Sequence, residues 1–243
     1  MKITSLIIAL VFSLDLFAQV KGDYNWQLGG ESNVFSGPPI SMEMKFDSGF
    51  RKIDAFYRPM SMGYFNTSLA GSDGQLLLYS NGCEIHDGNY NFISGSKDLN
   101  PGILNDDWCK FNRLFYPTYE GGLFLPFRND SVVLLIHQRQ VLKSPPLIAY
   151  VDVLNYTSLE RTESSYRIVE KGVPIITDSL SIGRLEAIQG KSTAYWWVIQ
   201  GVRHLNQYYT IGIENGTIDT IFFQTFGDSI IQNFETVGQS VFS

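Results

Sequence analysis

Short apolar runs separated by turn residues cover most of the chain, and no stretch of ten or more residues keeps the apolar spacing of an amphipathic helix. This pattern predicts β-strands and almost no helix. The predicted strands fall into four sets: 26–29, 41–46 and 52–57; 66–70, 75–80, 83–86 and 91–94; 122–127, 131–138, 147–154 and 166–170; and 185–189, 194–201, 207–214 and 217–223. Turn-forming residues at 47–49, 72–74, 129–130 and 215–216 predict the hairpins between them.

The last three sets repeat one arrangement. In each set a first strand ends in a turn and a strongly apolar second strand follows, at 76–79, 132–136 and 195–199. The sets begin about 56 to 63 residues apart, which is typical of the four-stranded blades of a β-propeller. We therefore expect about three antiparallel blades plus an N-terminal group of strands. A β-sandwich is the alternative, but it gives no reason for the apolar second strand to recur at one spacing.

The start of the chain has the features of a secretory signal peptide. Lys2 precedes an apolar stretch at 3–14, and Ala18 supplies the small residue at the expected cleavage site. A membrane anchor is the alternative, but a spanning helix needs about 20 apolar residues and this stretch ends at Asp15. The sequence therefore predicts a signal peptide at 1–18, export to the cell surface or the medium, and a mature domain at 19–243 without a membrane span.

Composition excludes two classes of protein. With 44% hydrophobic and 17% charged residues, the chain is too apolar to be intrinsically disordered. Its 18 Lys and Arg against 24 Asp and Glu give a net charge of -6, so no basic surface is expected for a phosphate backbone. Nucleic acid is therefore not an expected partner. The 14% aromatic residues and 22 Gly favour strands and tight turns.

The two cysteines are Cys83 and Cys109. Export permits a disulfide between them, and closing that loop would stabilise the protein by about 3 kcal/mol in the chain-entropy account. Two unpaired thiols are the alternative. Since the cysteines lack the spacing of a zinc site and the three histidines are scattered, no metal site is predicted.

The segment 65–83, which reads FNTSLAGSDGQLLLYSNGC, resembles a blade of large exported propeller proteins of the Bacteroidota. The stretches LNPG at 99–102 and YWWVI at 195–199 are similar to the same group. The resemblance covers about residues 24 to 243. It implies a WD-repeat-like or TolB-like propeller behind a signal peptide, followed by a C-terminal sorting domain for type IX secretion. Its motifs are blade motifs and imply no catalytic residue.

The end of the chain departs from that group, because no sorting domain is present in the 243 residues. Residues 238–243 have the pattern of another first strand. The sequence therefore predicts that the chain is an N-terminal fragment and that the propeller continues beyond residue 243.

Candidate chemistry is sparse. The hydrolase and nucleotide-binding motifs GxSxG, HExxH, GxxxxGK[ST] and GxGxxG are absent, so no catalytic residue and no cofactor are predicted. Propeller topology would bring the connections at 95–120, 137–146 and 201–206 to one face. The cations and the aromatic residue there could hold an acidic or sugar-like ligand; they are Trp108, His137, Arg139, Arg203 and His204. Alternatively these are solvated loop residues, with Trp108 covering the core beside Cys109.

Two functions remain open. The first is an exported, non-enzymatic scaffold that binds a protein or a glycan. The second is an extracellular glycan hydrolase on the same scaffold, with two carboxylates about 5 to 9 Å apart from different blades.

Overall fold

The structure is a computed structural model that describes residues 25–29, 41–47, 50–56, 58–144 and 147–227. The predicted signal peptide at 1–18, the turn residues 48 and 49, and the predicted strand at 238–243 lie outside the described residues. The described residues form β-strands and one short π-helix, so the prediction of an all-β chain is confirmed.

The described ranges contain thirteen strands, and all their pairings are antiparallel. In chain order they are β1 (Asn25–Leu28), β2 (Ser41–Asp47), β3 (Phe50–Phe56), β4 (Thr67–Ala70), β5 (Leu76–Ser80), β6 (Ile85–Asp87), β7 (Gly122–Phe127), β8 (Val132–Lys143), β9 (Ile148–Arg161), β10 (Tyr166–Gln189), β11 (Tyr195–Val202), β12 (Gln207–Glu214) and β13 (Thr217–Thr225). The helical segment is the π-helix Asn105–Phe111, between β6 and β7.

These strands form three sheets, each in chain order: β1-β2-β3, β4-β5-β6, and β7 through β13. None of the three closes on itself within the described ranges. The β4-β5-β6 sheet shares a core with strands β7 to β10 of the seven-stranded sheet, an arrangement compatible with a β-sandwich-like class. The strand expected at 91–94 is wrong, since only a single bridge between His86 and Phe92 forms there.

Strand β10 departs most from the expected pattern. The sequence predicts separate strands at 166–170 and 185–189, but one 24-residue strand spans both. Its first part pairs with β9 and its second part with β11, and Leu180 pairs with both neighbours. Four register shifts against β9 bend it. The seven-stranded sheet therefore consists of two four-stranded halves, β7–β10 and β10–β13, that share β10.

Two of the predicted hairpin turns have the expected geometry. Asn215 and Gly216 have φ angles of 53° and 86°, the combination that a type I′ hairpin requires. Between β4 and β5, the Gly74 amide donates to a backbone carbonyl at 2.8 Å and the Asp73 carboxylate accepts from the Gln75 amide at 2.9 Å. Asp73 and Gly74 therefore form a turn.

Strand β8 is buried on both faces. Val133 and Leu135 lie in a core shared with the β4-β5-β6 sheet, whereas Leu134 and Ile136 lie in a core shared with β10, β11 and β12. Successive side chains of a strand point to opposite faces, so an uninterrupted apolar run is what a sheet covered on both sides needs. All four side chains are fully buried, and each such burial contributes about 1.5 to 3 kcal/mol.

The main contacts between strands that are not hydrogen-bonded neighbours join β1 to β4, β4 to β7, and β7 to β10. Ser68 in β4 and Asn66 just before it bond to β1: the Ser68 hydroxyl donates to the Asn25 carbonyl and the Asn66 side-chain amide donates to the Gln27 carbonyl, both at 2.7 Å. The first strands of successive strand groups therefore lie side by side.

A buried arginine joins the first sheet to the second. The Arg58 Nε donates to the Met60 carbonyl and its Nη1 to the Gln27 side chain, both at 2.9 Å. Its Nη2 donates to the two backbone carbonyls at the end of β1. The Tyr79 ring centroid lies 5.9 Å from the guanidinium carbon. Burial lowers the pKa of Arg58 to about 10, so the group keeps its charge at neutral pH.

We expect Arg58→Lys to lower the free energy of unfolding by about 2 to 4 kcal/mol. The guanidinium donates to four oxygen atoms in different directions, and a lysine ammonium cannot bond to all of them. Urea unfolding followed by circular dichroism measures the change. Arg128→Lys, at an exposed turn, is the control and should stay within about 0.5 kcal/mol of the wild type. Equal stability of the two variants would contradict the role given to Arg58.

Candidate functional site

The connection between β6 and β7 builds the candidate site. It contains the π-helix Asn105–Phe111, in which the Asn112 amide donates to the Asp107 carbonyl five residues back at 2.9 Å. Lys110 pairs with Asp106 one turn earlier, at 2.9 Å. The sequence reasoning missed this helix because seven residues are too few to show a helical period.

Cys83 and Cys109 form a disulfide, as the sequence predicts, with their Cα atoms 5.6 Å apart. Cys83 lies in the turn between β5 and β6, and Cys109 lies in the π-helix. Both pack beside Phe65, Leu104 and Tyr116. The disulfide therefore fixes the π-helix against the β4-β5-β6 sheet.

Asn81 connects three segments around this disulfide. Its Nδ2 donates to the carbonyls of Ser61 and Leu114, each at 3.1 Å. Its Oδ1 accepts from the amides of Cys83 and Glu84, at 3.0 and 3.3 Å. The side chain is buried, so each of these bonds is made where water does not compete.

The disulfide lines a cleft of about 440 Å³, which we call the disulfide cleft. Its lining residues are Pro59, Met60, Ser61, Asn81, Cys83, Glu84, Lys97, Asp98, Cys109, Lys110, Arg113 and Leu114. The volume lies within the range of about 300 to 1,000 Å³ typical of small-molecule sites. The disulfide and the hydrogen bonds of Asn81 link the chain segments that line it.

The charged side chains of the disulfide cleft differ in how they are paired. Lys110 lies between Asp106 and Asp98, at 2.9 and 3.3 Å, and hydrogen bonds to these two carboxylates raise its pKa. Lys97 lies over an aromatic ring. Among the described residues, Arg113 pairs with no carboxylate and is exposed.

Three aromatic side chains of the same connection and Tyr64, which lies between β3 and β4, form a second feature, the ring cluster of Tyr64, Trp108, Phe115 and Tyr119. Tyr64 stacks on Tyr119 with a centroid distance of 4.2 Å and contacts Phe115 at 5.1 Å. The exposed fractions of Tyr64 and Tyr119 are 42% and 39%, so these rings face solvent. Trp108 is half-buried and also packs beside Cys109. Of these four, sequence reasoning named only Trp108.

His137 does not reach the surface, which corrects its place in the predicted ligand site. Strand β8 continues to Lys143 instead of ending at 138, so His137 lies inside the strand and is fully buried. Its Nδ1 donates to the Asn100 side-chain oxygen at 2.8 Å and its Nε2 accepts from the Thr157 hydroxyl at 3.0 Å. His137 therefore anchors Asn100, which lies in the connection between β6 and β7, five residues before the π-helix.

The other predicted ligand residues lie elsewhere on the sheet. Arg139, also within β8, binds the Asp152 carboxylate through two nitrogens at 2.9 and 2.6 Å. The Arg203 guanidinium carbon lies 5.7 Å from the centroid of the Tyr150 ring, so both arginines contact β9. His204 is exposed in a turn. In the part of the chain that the structure describes, none of the four bonds to or stacks on Trp108.

Within the described ranges no helix is long and apolar enough to cross a membrane, and no group of three or more His, Cys, Asp or Glu side chains is placed to hold a metal ion. No protein-family model, curated protein or solved structure matches the chain. The resemblance to exported propellers therefore stays an expectation that rests on the blade motifs.

We expect Asn81→Asp to destabilise the protein by about 2 to 4 kcal/mol, since a carboxylate would replace the amide donor and face two carbonyl oxygens in a buried position. Urea unfolding measures the loss. Asn129→Asp, in an exposed turn with φ of 54°, makes the same chemical change and should be nearly neutral. A similar loss in both variants would show that Asn81 has no special role.

Burial lowers the pKa of His137 to about 3, whereas the unfolded chain binds this proton below about pH 6.5. Acid therefore favours unfolding by about 1.4 kcal/mol per pH unit in that interval. We expect the free energy of unfolding to fall by about 2 kcal/mol less in His137→Gln than in the wild type between about pH 7.5 and about pH 5. His204→Gln is the control. Identical pH dependence of His137→Gln and the wild type would contradict the buried, neutral imidazole.

Proposed function

We propose that this chain is an exported, non-enzymatic binding scaffold with the architecture of a partial β-propeller, and that its ligand surface lies at the disulfide cleft and the ring cluster. The observation that carries the proposal is the order of packing. Strand groups β1–β3, β4–β6, β7–β10 and β10–β13 follow one another, and the first strand of each contacts the first strand of the next.

That order supports a propeller more than a sandwich. First strands of successive propeller blades surround a common axis, and each inner blade is covered by its two neighbours. A sandwich has two sheets, each with one covered face. The β7–β10 half has apolar cores on both faces, as an inner blade does.

Export is supported by the disulfide together with the pattern at 1–18, because disulfides form and persist in oxidising compartments. The blade motifs of the exported Bacteroidota proteins fit the same location. We propose a cell-surface or secreted protein, with type IX secretion as the route that the resemblance implies.

Binding is supported by the exposed side chains of the ring cluster and of the disulfide cleft. Solvent-facing rings such as Tyr64 and Tyr119 can stack on the apolar face of a sugar, and the nearby cations of the disulfide cleft can pair with acidic groups. The disulfide and the buried Asn81 hold this surface in one shape, which lowers the entropy lost on binding.

A structural candidate for the hydrolase alternative is a second cleft of about 460 Å³ that Glu43 and Asp87 both line. Glu43 accepts from two side-chain amides and pairs with Lys45 at 2.9 Å. One Asp87 oxygen accepts from two backbone amides and the other from the Ser165 hydroxyl. Each residue is only 5% exposed. Because these oxygens already have partners, a structural role is better supported than the two-carboxylate chemistry of a glycosidase.

The oxidised protein should be retarded in native gels that contain the neutral polysaccharide hydroxyethyl cellulose, and it should release no reducing ends from it. Tyr64→Ala should weaken retention about fivefold, because a ring contact contributes about 1 kcal/mol. Trp26→Ala is the control, since Trp26 is 49% exposed on β1 outside the ring cluster.

Two results would contradict the proposal. If the gel does not retard the protein, the ring cluster does not bind this glycan. Release of reducing ends that Asp87→Asn abolishes would establish the hydrolase in place of the scaffold.

A further inference from the structure

Three cations and two carboxylates line the disulfide cleft, in a protein whose net charge is -6. We propose that the cleft binds an anionic sugar through its carboxylate or sulfate group, and that the Arg113 guanidinium binds this acidic group. This assignment deepens the proposed binding scaffold and rests on it. The ring cluster alone would accept neutral glycans, whereas the cleft selects acidic ones.

The three cations that line the cleft, Lys97, Lys110 and Arg113, differ in how they are paired. Two carboxylates line the cleft, and each faces a partner of the protein itself. Glu84 Oε1 lies 3.0 Å from His86 Nε2, and Asp98 Oδ1 lies 3.3 Å from Lys110 Nζ. Lys110 also binds Asp106, which leaves it little capacity for a ligand. In the described part of the chain, the cations of the cleft without a carboxylate partner are Lys97 and Arg113.

Arg113 occupies a backbone position that arginine rarely takes. Asn112 is the C-cap of the π-helix, and Arg113 follows with φ of 53°. Glycine is the usual residue there because it enters the left-handed region without strain. Arginine at this position projects an exposed guanidinium whose planar N–H groups can bind both oxygens of a carboxylate or sulfate.

Lys97 supplies a second positive charge to the lining of the cleft. Its ammonium lies 5.3 Å from the centroid of the Phe92 ring, and the Lys171 ammonium donates to the Lys97 carbonyl at 2.9 Å. A third cation is therefore close to the cleft. Together these groups favour an anion, and the volume of about 440 Å³ has room for the sugar ring that carries it.

The wall that carries Arg113 depends on the disulfide. The disulfide holds Cys109 of the π-helix to Cys83 in the turn between β5 and β6, and Arg113 lies four residues after Cys109. Reduction would release the π-helix from the turn that contains Cys83. Binding of the acidic sugar should therefore require the oxidised protein.

The test is calorimetric titration of the oxidised protein with glucuronate at low ionic strength, with glucose as the neutral probe and inorganic sulfate as a competitor. The variant is Arg113→Asn, because asparagine tolerates positive φ and removes the charge. The matched control is Arg128→Asn, since Arg128 is also exposed and has φ of 50°. The expected result is saturable glucuronate binding, at least about tenfold weaker in Arg113→Asn, unchanged in Arg128→Asn, and lost on reduction.

Several outcomes would overturn the assignment: no glucuronate binding by the wild type, equal affinity for glucose, or equal weakening in both variants. Sulfate that displaces glucuronate supports a shared acid-group site, whereas sulfate binding without displacement overturns it. Retention of hydroxyethyl cellulose is measured separately on Tyr64→Ala. If the protein is retained by hydroxyethyl cellulose but does not bind glucuronate, the acidic-sugar site is refuted and the proposed binding scaffold remains supported.

Discussion

Double burial of strand β8 is the constraint on which the rest of the structure depends. Its alternating side chains enter two different cores, one shared with β4-β5-β6 and one with β10, β11 and β12. Both faces of β8 must therefore be packed against other strands. The strands β4 to β6, which precede it in the chain, pack on one face, and the strands β10 to β12, which follow it, pack on the other. This packing explains why β10 belongs to both halves of the seven-stranded sheet. Its first part pairs with β9 and its second part continues without a break to pair with β11.

The candidate site lies where this packing leaves a long connection at the edge of the second sheet. Three links fix that connection to the core: the Cys83–Cys109 disulfide, the hydrogen bond from Asn81 to the Leu114 carbonyl, and the bond between His137 and Asn100. These links explain how a segment with only seven helical residues can present charged and aromatic side chains in a fixed arrangement. The buried side chains of Asn81, His137 and Asn100 thereby position the exposed side chains that can contact a ligand.

Much of the strand pattern could be predicted from sequence because it depends on local features. The strand at 207–214 and the Asn215–Gly216 turn follow from alternation and turn chemistry, and the cysteine pair follows from export. Residues between 171 and 184 were expected to break β10, but β-branched side chains there continue the strand. The sequence predicts a loop from residue 137 because the end of β8 is set by its pairing with β9, which sequence alone does not reveal. The ring cluster joins Tyr64 to residues more than forty positions away, a distance at which no local pattern operates.

Nuclear Overhauser effects between methyl groups test the central claim most directly, because they report which side chains lie within a few ångströms of each other. In methyl-labelled protein, Leu135 should show effects to methyl groups of the β4-β5-β6 sheet, such as those of Leu78, and none to Val198. Leu134 should show the reverse, with effects to the methyl groups of β10, β11 and β12. Effects from Leu134 and Leu135 to the same set of methyl groups would contradict the double burial of β8, and with it the order in which the sheets pack.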